Sequence, residues 1–213
     1  MNGILANTKY YLMVILNWSM LVLFLISMAI FITLNLTPLM VFLSHHGISG
    51  VTHQQIMADY WRLMRFLQLP GGSLHFNFVA LSLSGRQHFI DVKSLFMLNE
   101  AVLVVSGIIS VLTLRYKKKK HQLWHLILPL QGFITAVPIF FSILAINFNH
   151  FFIRFHQLVF SNQDWLFNPV TDPIINVLDE TFFVHAVLVF VILLELEFII
   201  LYFVSKNQSS SSE

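Results

Sequence analysis

His88 and Asp91 stand three residues apart at the head of a long apolar stretch, and on a helix they would share one face. An imidazole titrates near neutral pH, so it can take a proton from one group and deliver one to another. A carboxylate one turn away would hold its tautomer or stabilise its charged form. The alternative is a helix-start acid in the field of the macrodipole, beside a solvated histidine, and spacing alone leaves both readings open. A second segment, residues 147–160, is dense in aromatics. Helical spacing there would put His150 and Arg154 on one face and Phe152 and His156 on the adjacent one. Phe148, Phe151, Phe155 and Phe160 suit the headgroup boundary of a bilayer, and Trp165 suits an interface anchor. An interfacial anchor helix with incidental polar residues would show the same pattern.

The chain has 213 residues and no cysteine, which removes disulfides, thiolate metal sites and any thioester mechanism. No phosphate loop, zinc-protease helix or nucleophile elbow occurs in it. His45, His46 and other histidines could ligate copper or zinc, but no pair has the H-E-x-x-H spacing and no Met cluster accompanies them. No metal or cofactor is therefore expected. A lipid-facing enzyme working by histidine acid/base chemistry fits better than a metal-responsive membrane protein.

Such a site must be carried by membrane-spanning helices. The chain is 57% hydrophobic and only 10% charged, with a mean hydropathy of +0.76, whereas soluble domains carry about 25% charged residues. The expected fold is all-α: a single membrane domain over 1–213, a four-transmembrane-helix bundle with a small extracytoplasmic cap of amphipathic helices and short strands. A span needs about 20 apolar residues, and four stretches qualify, about 12–36, 94–114, 123–146 and 185–204. The first lacks an A-x-A cleavage site and reads as a retained anchor. Glu100, Glu195 and Glu197 fall inside spans, where an acid is either hydrogen-bonded structurally or part of a proton relay.

Lys9, Arg115, Lys117 to Lys120 and Lys206 fall on one side of these spans, and the positive-inside rule makes that side the cytoplasm, with both termini. The lysine run is then a topology signal rather than a nucleic-acid site. Segments 37–93 and 147–184 face outward and hold most of the histidines, so the chemistry is expected there. Within the first, Thr52 and Gln55 form a capping box, and Ile56, Tyr60, Met64 and Leu67 predict an amphipathic helix over 53–67. Pro70, Gly71 and Gly72 break it. Alternation at Leu74, Phe76 and Phe78 predicts a short strand, and Ser84 with Gln87 predicts a second capping box before the second span. The Ser209 to Ser212 tail is low in complexity and reads as disordered.

Two motifs carry a resemblance. His88, Asp91, Val92 and Lys93 form H-x-x-D-V-K leading into a span. Phe155-His156, Leu158 and Phe160 are followed by Ser161-Asn162, Trp165, Pro169, Asp172-Pro173, Ile175 and Phe182-Phe183. With the four spans and loop lengths, these resemble the lipoprotein intramolecular transacylase family of Gram-positive bacteria over nearly the whole chain. Ser84 to Gln87 departs from it, with Gln87 where an acid is expected. The resemblance implies a substrate, a diacylglyceryl-cysteine lipoprotein in the cell membrane. It implies transfer of the sn-2 acyl chain to the lipoprotein's own α-amino group, giving the lyso form. It further implies His88 and His156 as the catalytic pair, with His88 as general base, Asp91 orienting it, and His156 as acid or carbonyl polariser; the reversed roles stay open. Arg86 and Arg154 are expected to contact the oxyanion or headgroup. His150, Phe155, Phe160 and Trp165 are expected to contact substrate, and the protein to act as a monomer among membrane lipids. A membrane acyltransferase or lipase using phospholipid is the alternative.

Overall fold

The computed structural model describes residues 2–44 and 46–210; His45 and the last residues of the serine tail lie outside them. Six α-helices follow in order: α1 Asn2–Leu43, α2 His53–Gln68, α3 Leu83–Lys119, α4 Ile127–Ala145, α5 Phe148–Val159 and α6 Glu180–Ser210. Short 3-10 turns, Leu123–Leu126 and Pro173–Asn176, precede α4 and α6. Four stretches are long and apolar enough to cross a membrane: Tyr11–Leu43, Leu83–Lys119, Leu123–Ala145 and Glu180–Gln208. The chain is an all-α, membrane-integral protein.

The helices outrun the spans expected from hydropathy. The 37 residues of α3 make a rod of roughly 55 Å against a hydrocarbon core of about 30 Å. Hydropathy marks only the apolar part of a helix, so the polar first turns carrying His88 were not assigned to the span. Likewise α6 runs through Ser210, into the tail expected to be disordered.

Two compact units are distinguished. One comprises Met1–Phe31, Asn99–Phe140 and Val191–Glu213. Here Asn99 donates to the Ser27 carbonyl at 3.2 Å, and Phe133 stacks on Phe198 with centroids 5.3 Å apart. Among the described residues both carboxyl oxygens of Glu197 are buried without a hydrogen-bond partner, so the structural hydrogen bond considered for it is not formed. α3 ends in a Schellman turn: Gln122 N donates to Lys117 O at 2.9 Å and His121 N to Lys118 O at 3.2 Å. His121 takes the left-handed position, φ 53°.

The other unit comprises Ile32–Leu98 and Phe141–Phe190. Its core gathers Ile56, Tyr60, Leu63 and Met64 of α2 with Leu34, Val41, Leu74, Phe76, Phe89 and Ile174. The capping box at the head of α2 forms as expected, with Thr52 accepting from Gln55 N and Gln55 from Thr52 N. Gly71 and Gly72 leave the helix at φ 75° and 74°.

The expected strand over Leu74–Phe78 is not formed among the described residues. Its alternation holds for two of the three residues, since Leu74 and Phe76 are buried while His75 and Asn77 are exposed, but Phe78 is exposed with Val79 buried in its stead, and no second strand runs beside it. A side chain takes the place of the ladder. Asp59, fully buried on α2, accepts the backbone N–H groups of Asn77, Phe78 and Val79 at 2.8, 2.7 and 2.9 Å. Arg62 balances its charge, with Nε 3.4 Å from Oδ1.

Candidate active site

The first histidine is placed by the start of α3. That start is two residues earlier than the capping box expected at Ser84: Ser82 Oγ accepts Gly85 N at 2.9 Å, and Arg86 N donates to Ser82 O at 3.0 Å. Ser82 is thus the cap, and Gln87 turns away to another partner. The Ser82 N–H itself donates at 2.7 Å to Oδ1 of Asp172, a buried carboxylate steadied by the Thr171 hydroxyl at 2.7 Å. Asp172 reaches this position only because residue 85 is glycine; a Cβ there would run into the carboxylate. One and a half turns on, His88 is buried, and among the described residues its Nδ1 has no hydrogen-bond partner. A buried polar atom left unpaired requires an explanation.

The second histidine is placed by α5. Asn147 caps that helix, accepting His150 N at 3.2 Å, and the chain leaves it at Phe160. His156 is buried in the last turn. Its Nδ1 lies 2.7 Å from the Phe152 carbonyl oxygen; a carbonyl only accepts, so Nδ1 carries the hydrogen and Nε2 of the neutral ring keeps its lone pair. Burial lowers the pKa of His156 from its ordinary 6.5, opposed by the bond to Phe152.

The two imidazoles meet with ring centroids 6.0 Å apart. Phe160 touches both, at 4.9 Å from His88 and 5.6 Å from His156. Phe167 lies edge-on to His88 at 5.5 Å, while Phe152 and Trp165 pack on His156 at 4.1 and 5.0 Å. This is a dry aromatic setting, in which charge placed on either ring costs more than in water.

Asp91 forms no hydrogen bond to His88, so it does not hold that ring's tautomer directly. Its two oxygens accept Gln87 Nε2 at 3.0 Å and Asn162 Nδ2 at 2.8 Å, and neither bonds His88. Sharing a helix face brought the groups near without giving them bonding geometry, and the side-chain amides took both oxygens. Of the remaining expected residues, Phe160 and Trp165 are half-buried against the pair and Phe155 is exposed at its edge, 5.5 Å from His156. Arg86 is half-buried, with an unpaired buried Nε. His150 and Arg154 are exposed on α5. Reasoning from sequence assigned no role to Asn162, Asp172, Phe152 or Phe167. Asn162 and Asp172 were visible as motif letters, but the 71 residues from Asp91 to Asn162 and the 90 from Ser82 to Asp172 exceed the reach of any local pattern.

Among the described residues no three His, Cys, Asp or Glu side chains gather as metal ligands. The arrangement is one that can handle protons: one ring with a fixed tautomer and a lone pair on Nε2, the other with an unpaired Nδ1, among aromatic rings.

No curated protein matches this sequence. Solved structures do. The membrane-integral lipoprotein intramolecular transacylase Lit from Bacillus cereus is similar at TM-score 0.75 and 23% identity, over 97% of this chain and 98% of that one. Two structures of the same protein, with one histidine mutated to arginine or to alanine, are similar at TM-score 0.71 and 25% identity. They cover 97% and 96% of this chain and 98% of each relative. The family model for the lipoprotein intramolecular transacylase Lit matches residues 15–183. The chain belongs to the lipoprotein intramolecular transacylase family and is a membrane-integral acyltransferase.

Proposed function

We propose that this enzyme moves the sn-2 acyl chain of a diacylglyceryl-cysteine lipoprotein to that lipoprotein's own α-amino group. The observation that carries the reading is the buried His88–His156 pair, 6.0 Å between centroids, in a member of this family. The substrate supplies its own nucleophile, so the enzyme needs neither Ser nor Cys. The neutral amine attacks the ester carbonyl, an N–C bond forms, and the C–O bond to glycerol breaks. His156 Nε2 takes the amine proton, because Nδ1 is committed to Phe152. The glycerol oxygen receives a proton through the imidazole pair, with His88 bonding the developing charge. No net proton is released. This reverses the roles expected from the sequence, where His88 was the base, and the tautomer of His156 is the reason.

Arg86, with its buried unpaired Nε, is the candidate donor to the oxyanion, and the exposed Arg154 and His150 are candidates for headgroup contact. Phe155, Phe160 and Trp165 would flank the acyl and glyceryl portion. Holding both ends of one molecule together replaces a bimolecular step by a unimolecular one. The basic residues beside the spans support a cytoplasmic side for both termini, which leaves the histidine pair facing outward. The enzyme is proposed to act as a monomer.

Mass spectrometry of lipoprotein N-terminal peptides, in a host lacking any other N-acylating enzyme, tests the reading. The lyso product is expected with the wild type and with His121→Ala. It falls by at least about 100-fold with His88→Ala or His156→Ala, the scale of general acid/base catalysis. Diacyl lipopeptide supplied without phospholipid is still converted. Full activity of either histidine variant, or dependence on added phospholipid, overturns the assignment.

A further inference from the structure

We infer that Asp91 is a positioning residue that acts on His156 through Asn162 and Trp165. The inference rests on the acyl-transfer reading above. Asp91 bonds Asn162 at 2.8 Å across 71 residues of chain. Asn162 is itself held: its Oδ1 accepts Asp164 N at 3.1 Å, which forces its NH2 toward Asp91. Its backbone carbonyl accepts the indole N–H of Trp165 at 3.2 Å, and the Trp165 ring packs on His156 with centroids 5.0 Å apart. Two hydrogen bonds in series, with Asn162 oriented by a third, therefore join α3 to the ring that covers the second imidazole.

The same connection is tied to α3 a second time, where Asp172 accepts Ser82 N. The two ties flank His88, one six residues before it and one three residues after. Together they hold the segment following His156 against the helix carrying His88, so the spacing of the imidazoles is set by carboxylates that bond neither ring. Gln87 completes the device by occupying the second oxygen of Asp91 at 3.0 Å.

A reciprocal exchange separates this role from an electrostatic one. In the pair Asp91→Asn with Asn162→Asp, the bond between the two side chains survives with donor and acceptor reversed. The new asparagine still offers an oxygen to Gln87, and the new aspartate still accepts from residue 164. The negative charge has moved to the other side of the bond. Asp91→Asn alone leaves one acceptor oxygen for the two amides of Gln87 and Asn162 and turns an NH2 against the other, and Asn162→Asp alone sets carboxylate against carboxylate. With purified protein and a diacyl lipopeptide, each single variant is expected to lose about 100-fold in kcat with KM little changed, the scale of a misplaced catalytic group. The double variant recovers most of that loss. A double variant that folds, by thermal melting, but stays as inactive as the singles overturns the inference, as does a double variant that does not fold. Should the singles not fold, recovery of both melting and turnover in the double still supports it. Wild-type protein that makes no lyso product ends the underlying reading instead, so the two failures are distinguishable.

Discussion

The Nδ1 of His156 lies 2.7 Å from the carbonyl oxygen of Phe152, one turn earlier in the same helix. That bond orients the ring and leaves Nε2 as the free base. Burial lowers the ring's pKa, so His156 is neutral at pH 7.

The pH profile should show this. A free α-amine has a pKa of about 7.7–8.0, so kcat/KM for a diacyl lipopeptide is expected to rise tenfold per pH unit below that value. Once the pH falls below the lowered pKa of His156, base and nucleophile are both protonated, and the slope doubles. A slope that never steepens below pH 6.5, or a steepening that is removed by substituting another histidine, would count against His156 as base. Stability has the same sign. The folded ring binds a proton less readily than the unfolded one, so stability is intact above about 6.5 and is lost as pH falls from there toward the folded value.

Gly85→Ala inverts the usual rule. In a helix, alanine is normally favoured over glycine by about 1 kcal/mol. Here a Cβ would collide with the Asp172 carboxylate and push it off Ser82 N, so a net loss of about 1–3 kcal/mol is expected, as for overpacking. Thermal melting of the purified protein in detergent reads it, and a raised melting temperature would refute the close approach. Turnover should fall as well, because the displaced carboxylate is one of the two ties flanking His88.

Asp59→Ala leaves three backbone N–H groups, those of residues 77–79, without their acceptor. Val79 is buried while Asn77 and Phe78 are exposed and can bond water, so a loss of about 1–3 kcal/mol, the cost of one buried group left unsatisfied, is expected. Asp59→Asn, which keeps one acceptor oxygen, should lose less. Melting curves of the two variants rank them, and equal stability of Asp59→Ala and wild type would show that the segment finds other partners.

The sequence by itself determined what depends on local composition and period. Apolar length set the four spans, because a run of about 20 apolar residues satisfies its own backbone in hydrocarbon as a helix. The Thr52–Gln55 box and the α2 periodicity set a helix that closes on its own residues. The two histidine motifs pointed to His88 and His156, whose rings the fold brings to 6.0 Å. The tertiary structure decided everything that joins distant parts of the chain. Asp91 was placed correctly on a face beside His88, but its hydrogen bond was not legible, because Asn162 takes that place from 71 residues away in the chain. Leu74 and Phe76 alternate as a strand would, but alternation records which side is buried and not what bonds the backbone, and that was settled by Asp59. The protonated nitrogen of His156 was likewise decided by a carbonyl and by the rings packed around it. Periodicity reports the energetics of a segment facing one environment; hydrogen bonds between segments depend on which groups the fold brings within about 3 Å.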